Sequence, residues 1–125
     1  MAAAILKQQY PQKYIDSAGI AAVIGAPADD HAITIMAAAG LDIQSHVAKQ
    51  ISTEMVNETE LILTMSESQT KWIERQWPYC RGKVFRIGHW LDKDIEDPHQ
   101  QGKLAFETAN QDIRDSLSQW ADKLS

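Results

Sequence analysis

The sequence predicts an α/β fold with a parallel sheet at its centre. Residues 60–65 form a nearly continuous apolar run, which is typical of a strand buried on both faces. Residues 14–17 and 83–87 are two further predicted strands, and helical patterns separate the three. Strands that alternate with helices along a chain are joined by right-handed crossovers and lie parallel in one sheet. We therefore expect one α/β domain.

The helices of the first half are predicted from composition and capping residues. Residues 1–10 are rich in alanine, the strongest helix former, and a proline follows them. Asp29 or Asp30 is suited to cap a second helix that extends to Ala39, because a carboxylate accepts hydrogen bonds from the first turn. Residues 42–51 are expected to hold one or two further helical turns.

The helices of the second half have clearer signals. Ser66 and Gln69 have the spacing of a capping box, in which each side chain bonds a backbone N–H near the helix start, and Pro78 ends that helix. From Lys103 onward, apolar residues recur at steps of three and four, which predicts a final helix with one buried stripe. The stripe consists of Phe106, Ala109, Ile113, Leu117, Trp120 and Leu124.

Composition argues against several classes of function. The 17 acidic and 12 basic residues give a net charge of −5, which disfavours a surface for nucleic acid or an anionic membrane. Cys80 is the only cysteine, so no intrachain disulfide is expected, and a reducing cytoplasm is the expected compartment. No two histidines are spaced by four residues, so no metal site is predicted. Neither a secretory leader nor a membrane span is expected.

The candidate site lies where the predicted strands end. In parallel sheets, ligands bind beyond the carboxyl ends of the strands, and Ser17 follows one of these ends. Another end leads into residues 88–99, a loop that is long for a compact domain. Asp97 precedes a proline there, and proline stiffens the backbone around it. Ser17 and Asp97 are therefore expected on the same edge. Asp92, Asp94 and Glu96 are interpreted as a solvated face or, alternatively, as charges that steer basic segments of a partner.

Seven short motifs, spread over the whole chain, resemble those of one enzyme family. They are Asp16-Ser17-Ala18-Gly19, Gly25-Ala26-Pro27-Ala28-Asp29, Ser45-His46-Val47-Ala48-Lys49-Gln50-Ile51, Leu61-Ile62-Leu63-Thr64-Met65, Gly82-Lys83-Val84, Gly88-His89-Trp90 and Glu96-Asp97-Pro98. The chain resembles the low-molecular-weight protein tyrosine phosphatases, especially the bacterial type paired with exopolysaccharide and capsule tyrosine kinases. The resemblance implies a single domain over residues 1–125 with a flavodoxin-like, doubly wound parallel sheet of four strands.

The resemblance also implies a mechanism. In this family a cysteine thiolate in a C-x-x-x-x-x-R-[ST] loop attacks phosphorus, while the loop amides and the arginine bind the phosphoryl oxygens. Asp97 corresponds to the aspartate that protonates the departing tyrosine oxygen and then acts as base for the hydrolytic water. Ser17 and His46 correspond to residues that support the phosphate loop.

The remaining implied features concern the cleft and the partners. Trp90, His99 and Gln100 are expected at the cleft rim, although family members usually carry aromatic rings at the last two of these positions. No cofactor and no metal are implied. The expected partner is a phosphotyrosine protein, with an autophosphorylated bacterial tyrosine kinase as the candidate. Neither nucleic acid nor a membrane is expected as a partner.

The resemblance starts at the residues that follow the family's nucleophile loop. Family members commonly have Met-Ala and the first helix directly after that loop, and residues 1–125 open with Met1-Ala2. We therefore expect residues 1–125 to lack the first, central strand and the nucleophile loop, to have no phosphatase activity on their own, and to be marginally stable. The alternative is a non-catalytic module that binds phosphotyrosine or regulates a partner.

Cys80 is not expected to act as the nucleophile. Residues 80–86 match C-x-x-x-x-x-R formally, but residues 83–87 are predicted to be a strand. A strand advances about 3.3 Å per residue, so Arg86 would lie far from Cys80 instead of closing a loop around a phosphate. Cys80 is therefore interpreted as a residue without a role in catalysis.

Overall fold

The structure, a computed structural model, describes residues 1–124. Within this range the α/β class is confirmed, and no helix has the length and apolarity needed to cross a membrane. The helices and strands are α1 (Ala2–Gln9), α2 (Asp30–Ala38), α3 (Thr53–Glu58), β1 (Ile62–Thr64), α4 (Glu67–Gln76), β2 (Val84–Arg86), α5 (Lys103–Ser118) and α6 (Ala121–Leu124). Two short 3-10 helices, Pro78–Lys83 and His89–Leu91, precede and follow β2.

The strands β1 and β2 form a parallel pair, as the sequence predicts. In the part of the chain that the structure describes, they are the two strands of the sheet, and α4 lies in the connection between them. Pairing continues beyond the strand ends, because the Ile87 N–H donates to the Thr64 carbonyl at 2.7 Å. The Ile95 N–H donates to the Met65 carbonyl, also at 2.7 Å. The loop after β2 is thereby attached to the carboxyl end of β1.

The strand predicted at residues 14–17 is wrong for the described residues. Tyr14 is 93% exposed, and the Ser17 N–H donates to the adjacent Asp16 carboxylate at 2.8 Å instead of to a neighbouring strand. Strand residues need a partner for their backbone groups. Among residues 1–124 this segment has no ladder partner, so it remains irregular.

The helical turns predicted at residues 42–51 are also wrong. Backbone groups of this segment pair with distant residues, since the Ala48 N–H donates to the Ala26 carbonyl and the Ile51 N–H donates to the Gly19 carbonyl. A helix would instead use carbonyls four residues earlier. Tertiary pairing has replaced local pairing here, and the helix α3, which was not predicted from the sequence, begins only after this segment.

The predicted helix caps are confirmed, with one difference in their bonding. Asp29 accepts a hydrogen bond from the His31 N–H at 2.8 Å, so it is the cap of α2. The Ser66 hydroxyl accepts from the Gln69 N–H at 3.3 Å, which starts α4. The Gln69 side chain, however, accepts from the Met65 N–H at 2.9 Å and not from that of Ser66. The cap therefore also holds the end of β1.

The final helix is shorter than its apolar stripe predicted. It ends at Ser118 because the next two N–H groups, those of Gln119 and Trp120, donate to carbonyls three residues back, and the short α6 follows. The Trp120 indole N–H donates to the Ile87 carbonyl at 2.7 Å. This bond attaches the end of α5 to the chain just beyond β2.

The core consists of two apolar clusters. The larger one joins α1, α2, α5 and the loop after β2 through Ala2, Ile5, Met36, Ile87, Ile95, Ala109, Ile113 and Leu117. The smaller one lies around α4 and consists of Val56, Ile73, Cys80 and Val84. Ile95, which is 3% exposed, belongs to the larger cluster. The loop that carries Asp97 is therefore fixed in the core two residues before the aspartate.

Ser116 is expected to reduce the stability of the fold. It is 1% exposed, and its hydroxyl has no hydrogen-bond partner within the described residues. Burying an unpaired hydroxyl costs free energy, and alanine is the better helix former. Ser116→Ala is therefore expected to raise the free energy of unfolding by about 1 kcal/mol in urea titrations. Ser118→Ala, at an exposed site on the same helix, is the control, and a less stable Ser116→Ala variant would contradict the prediction.

Candidate active site

The loop after β2 folds back tightly before it reaches Asp97. The Lys93 N–H donates to the Gly88 carbonyl at 3.1 Å, which closes a turn of six residues around the second 3-10 helix. Asp92 adopts the left-handed conformation, with φ +48°, inside this turn. Ile95 then enters the core and bonds β1. The turn and this attachment together set the direction in which Asp97 leaves the sheet.

An arginine of β2 strengthens the turn. The Arg86 guanidinium donates to Asp92 at 2.8 Å and to Asp94 at 3.0 Å, and these carboxylates raise the pKa of Arg86 above its ordinary value. Asp94 also accepts from the Glu67 N–H at 3.0 Å, at the first turn of α4. Asp92 and Asp94 are solvent-exposed as expected, with side chains 94% and 48% exposed, and both are in addition tied to β2 through Arg86.

Asp97 lies in an exposed turn next to an open groove. One of its carboxylate oxygens accepts a hydrogen bond from the His99 N–H at 3.0 Å, and Gln100 continues the turn with φ +60°. The groove has a volume of about 300 Å³ and lies between residues 96–101 and the first half of α5. The carboxylate of Asp97 is thus oriented by its own turn and remains accessible to a ligand.

The segments that carry Ser17 and His46 lie side by side. Lys49 forms an ion pair with Asp16, and the Gly19 N–H donates to the Lys49 carbonyl at 2.8 Å. Partial desolvation, followed by nearby positive charges, lowers the pKa of His46, so its neutral form is favoured. A neutral imidazole can both donate and accept a hydrogen bond, as a supporting role requires. Asp97 is not among their hydrogen-bond partners in the described residues.

Trp90 belongs to an aromatic cluster at the opposite end of α5 from the groove. Its ring centroid lies 4.7 Å from that of His89 and 5.6 Å from that of Trp120, and the Lys123 ammonium lies 5.6 Å from the Trp90 ring centroid. With 16 residues, α5 is about 24 Å long. Trp90 therefore does not line the groove beside Asp97, whereas His99 and Gln100 lie in the same exposed turn as that residue.

Comparison with known proteins identifies the family of this chain. Residues 1–125 match the family model described as low molecular weight phosphotyrosine protein phosphatase. The chain belongs to this family. It is 42% identical to the low molecular weight protein-tyrosine-phosphatase Ptp of Acinetobacter johnsonii over 120 residues, which are 96% of this chain and 84% of that protein.

Solved structures of bacterial phosphatases share the fold. The tyrosine phosphatase AmsI of Erwinia amylovora superposes with a TM-score of 0.93 at 32% identity, covering 99% of this chain and 83% of that one. Vibrio vulnificus Wzb, in complex with benzylphosphonate, superposes with a TM-score of 0.91 at 35% identity, covering 98% and 87%. The chain is therefore assigned to the low-molecular-weight protein-tyrosine phosphatases.

Cys80 has none of the features of the nucleophile that this phosphatase family uses. It is 1% exposed in the smaller core cluster, and burial raises the pKa of its thiol above the ordinary value. A reactive cysteine is accessible and has a lowered pKa, because the thiolate is the attacking species. Cys80 also lies in the 3-10 helix before β2, at the edge where strands begin. Its interpretation as a non-catalytic residue is consistent with this position.

One wall of the groove, provided by α5, was not predicted from the sequence. Leu104, Ala105, Thr108 and Asp112 line it at helical spacing. The spacing of three and four residues was a usable signal, because these positions are adjacent to the buried stripe on the helix surface. Only the buried stripe of α5 was used for prediction, so the groove beside it was not predicted.

Asp94 is expected to contribute measurably to the stability of the loop in this phosphatase fold. Asp94→Asn removes the charge that pairs with Arg86 and weakens the bond from the Glu67 N–H. Because the side chain is 48% exposed, we expect a loss of only about 1 kcal/mol in unfolding free energy, which decreases with added salt. Glu60→Gln, at an exposed acidic residue, is the control. Equal stabilities for the two variants would contradict the prediction.

Proposed function

We propose that the protein hydrolyses phosphotyrosine in proteins, with Asp97 as the acid and base of the reaction. The observation that supports this most directly is the accessible Asp97 carboxylate, oriented by the His99 N–H just beyond a core-anchored residue, in a chain of this phosphatase family. A general acid must reach the leaving oxygen, so it has to be both exposed and fixed in direction.

In the proposed first step, a thiolate attacks phosphorus and the bond from phosphorus to the tyrosine oxygen breaks. Asp97 gives its proton to that oxygen, so tyrosine leaves neutral and a cysteinyl phosphate remains. In the second step, water attacks phosphorus, Asp97 accepts a proton from the water, and the sulfur–phosphorus bond breaks. Inorganic phosphate leaves, and the thiolate and protonated Asp97 are restored.

We further propose that the thiolate and its arginine come from outside residues 1–125, and that this polypeptide has no turnover alone. The chemistry of Cys80 supports the proposal, since a buried thiol with a raised pKa is a poor nucleophile. A segment that supplies the thiolate would also offer backbone partners to residues 14–17 and to β1. Ser17 and His46 are proposed to support the phosphate loop, and His99 and Gln100 to form the rim.

The proposed substrate is a phosphotyrosine protein in the cytoplasm, with an autophosphorylated bacterial tyrosine kinase as the candidate. The relative from Vibrio vulnificus was solved with benzylphosphonate, whose aromatic ring and phosphonate resemble the head of phosphotyrosine. We expect the same head group here.

The test compares two polypeptides with p-nitrophenyl phosphate and a phosphotyrosine peptide. Residues 1–125 alone are expected to show no turnover, whereas a fusion that carries a C-x-x-x-x-x-R-[ST] loop of the type this family uses before Met1 is expected to be active. Cysteine-to-serine replacement in the grafted loop should abolish turnover, and Cys80→Ser should not. Turnover by residues 1–125 that disappears with Cys80→Ser would overturn the proposal. Phosphotyrosine binding by an inactive fusion would favour the non-catalytic module.

A further inference from the structure

We propose that the groove beside Asp97 is a docking surface for the phosphoprotein substrate, specific for a basic residue next to an apolar one. The partner's identity rests on the proposed function, and the preference for basic and apolar side chains rests on the groove itself. The groove is the site of about 300 Å³ between the turn at residues 96–101 and the first half of α5.

The groove has an apolar floor with one unusually exposed side chain. Pro98 and Leu104 face it together with two alanines of α5. Leu104 is 75% exposed and lies outside the apolar stripe that α5 buries in the core. Covering a leucine side chain on binding stabilises a complex by up to about 1.5–3 kcal/mol before ordering costs. The floor therefore favours an apolar side chain of the partner.

The charge of the groove favours a partner in which a basic residue lies next to that apolar residue. Glu96 and Asp97 line it, and in the described residues neither takes part in an ion pair. A third carboxylate, Asp112, is neutralised by Lys93 at 3.0 Å. The groove is thus left with two negative charges above an apolar floor. A lysine or arginine matches both, because its long stem covers apolar surface while its charge reaches the carboxylates.

The position of the groove connects it to the reaction. Asp97 lines the groove and is also the proposed acid, so it has to lie within hydrogen-bonding reach of the tyrosine oxygen during the reaction. An extended peptide advances about 3.3 Å per residue. Glu96 and Leu104 line the same groove as Asp97, so the side chains that reach them are those close to the phosphotyrosine in the partner's sequence. A segment in this position selects among phosphotyrosines without changing the chemistry.

Two other occupants fit the groove less well. A second copy of this chain carries a net charge of −5 and would place like charges near Glu96, while nucleic acid would bring phosphates to the same carboxylates. An acidic segment is disfavoured for the same reason. The proposed occupant is therefore a basic and apolar peptide segment of a protein partner.

The test measures binding of unphosphorylated peptides to residues 1–125 by NMR, so it requires neither turnover nor a phosphate. Three synthetic peptides carry a central tyrosine followed by Lys-Leu, Glu-Leu or Lys-Ser repeats. We expect the Lys-Leu peptide to bind most tightly, with the largest amide shifts in residues 96–112. Raising NaCl from about 0.05 M to about 0.5 M should weaken this binding, because the ions screen exposed charges.

Substitutions locate the binding site. Glu96→Gln and Leu104→Ser are each expected to raise the dissociation constant of the Lys-Leu peptide about two- to fivefold. Asp122→Asn on α6 and Val23→Ser, at an apolar side chain that is 75% exposed like Leu104 and lies outside the groove lining, are matched controls that should leave it unchanged. Circular dichroism melts check that all four variants fold.

Several outcomes would overturn the inference. These are no binding of the Lys-Leu peptide, equal binding of all three peptides, shifts outside residues 96–112, or concentration-dependent dimers that bury the groove. The first three outcomes leave turnover by the fusion with the grafted cysteine loop unchanged, and turnover measured below the concentration at which dimers form is independent of the fourth. Conversely, an inactive fusion would leave peptide binding at Leu104 intact, so failure of the docking surface and failure of the proposed function are distinguishable.

Discussion

Replacing Asp97 with asparagine is expected to lower kcat of the turnover-competent fusion about 10²- to 10⁴-fold, the range typical of a lost general acid. Asparagine keeps the oxygen that accepts from the His99 N–H, so the turn should be preserved while the transferable proton is lost. The loss should be greatest with phosphotyrosine and smaller with p-nitrophenyl phosphate, because p-nitrophenolate leaves readily without a proton. Steady-state kinetics with both substrates checks this expectation.

The leaving group separates proton donation from a structural effect of Asp97→Asn. Loss of a proton donor slows departure of the tyrosine oxygen more than departure of p-nitrophenolate, because only the first needs the proton. Asp122→Asn on α6 is the control and should leave both rates unchanged. Equal losses for the two leaving groups would mean that Asp97 acts by positioning and not as the acid.

Local sequence signals predicted the elements whose determinants are local. The apolar run around β1, the Ser66 cap and the α5 stripe each specify an element through neighbouring residues, and these elements formed. The conformation of residues 14–17 and 42–51 is not specified by neighbouring residues. Their conformation depends on distant partners, such as the Ala26 carbonyl for the Ala48 N–H, and a short window of sequence does not contain the partner.

The candidate site likewise combines features that local sequence predicts with features that depend on distant residues. Asp97 was singled out because it precedes a proline in the long loop after the third predicted strand, and its role as the acid was implied by the family resemblance. The structure leaves its side chain accessible. The support from Arg86 was not identified, since its carboxylate partners follow six and eight residues later across a turn. The packing of Trp90 against Trp120 was not predicted either, because this contact depends on where α5 ends.

Gly88→Ala is expected to be the most damaging of the glycine substitutions in this chain. The added methyl carbon would lie 2.2 Å from the Lys93 carbonyl oxygen and 2.9 Å from the Lys93 Cγ. The first contact is with backbone, so rotation of a side chain cannot relieve it. The backbone is also restrained, because the Lys93 N–H bonds the Gly88 carbonyl and Ile95 is bonded to β1. We expect a loss near the upper end of about 1–3 kcal/mol in unfolding free energy.

Gly82→Ala provides a matched control for this substitution. No atom lies within 4 Å of a methyl carbon at Gly82, so its variant should stay within about 0.5 kcal/mol of the parent in urea titrations. Because the Gly88 turn directs the chain toward Asp97, Gly88→Ala should also lower kcat of the fusion under conditions where the variant remains folded. A Gly88→Ala variant as stable and as active as Gly82→Ala would show that the turn opens without cost, and Asp97 would then need another source of orientation.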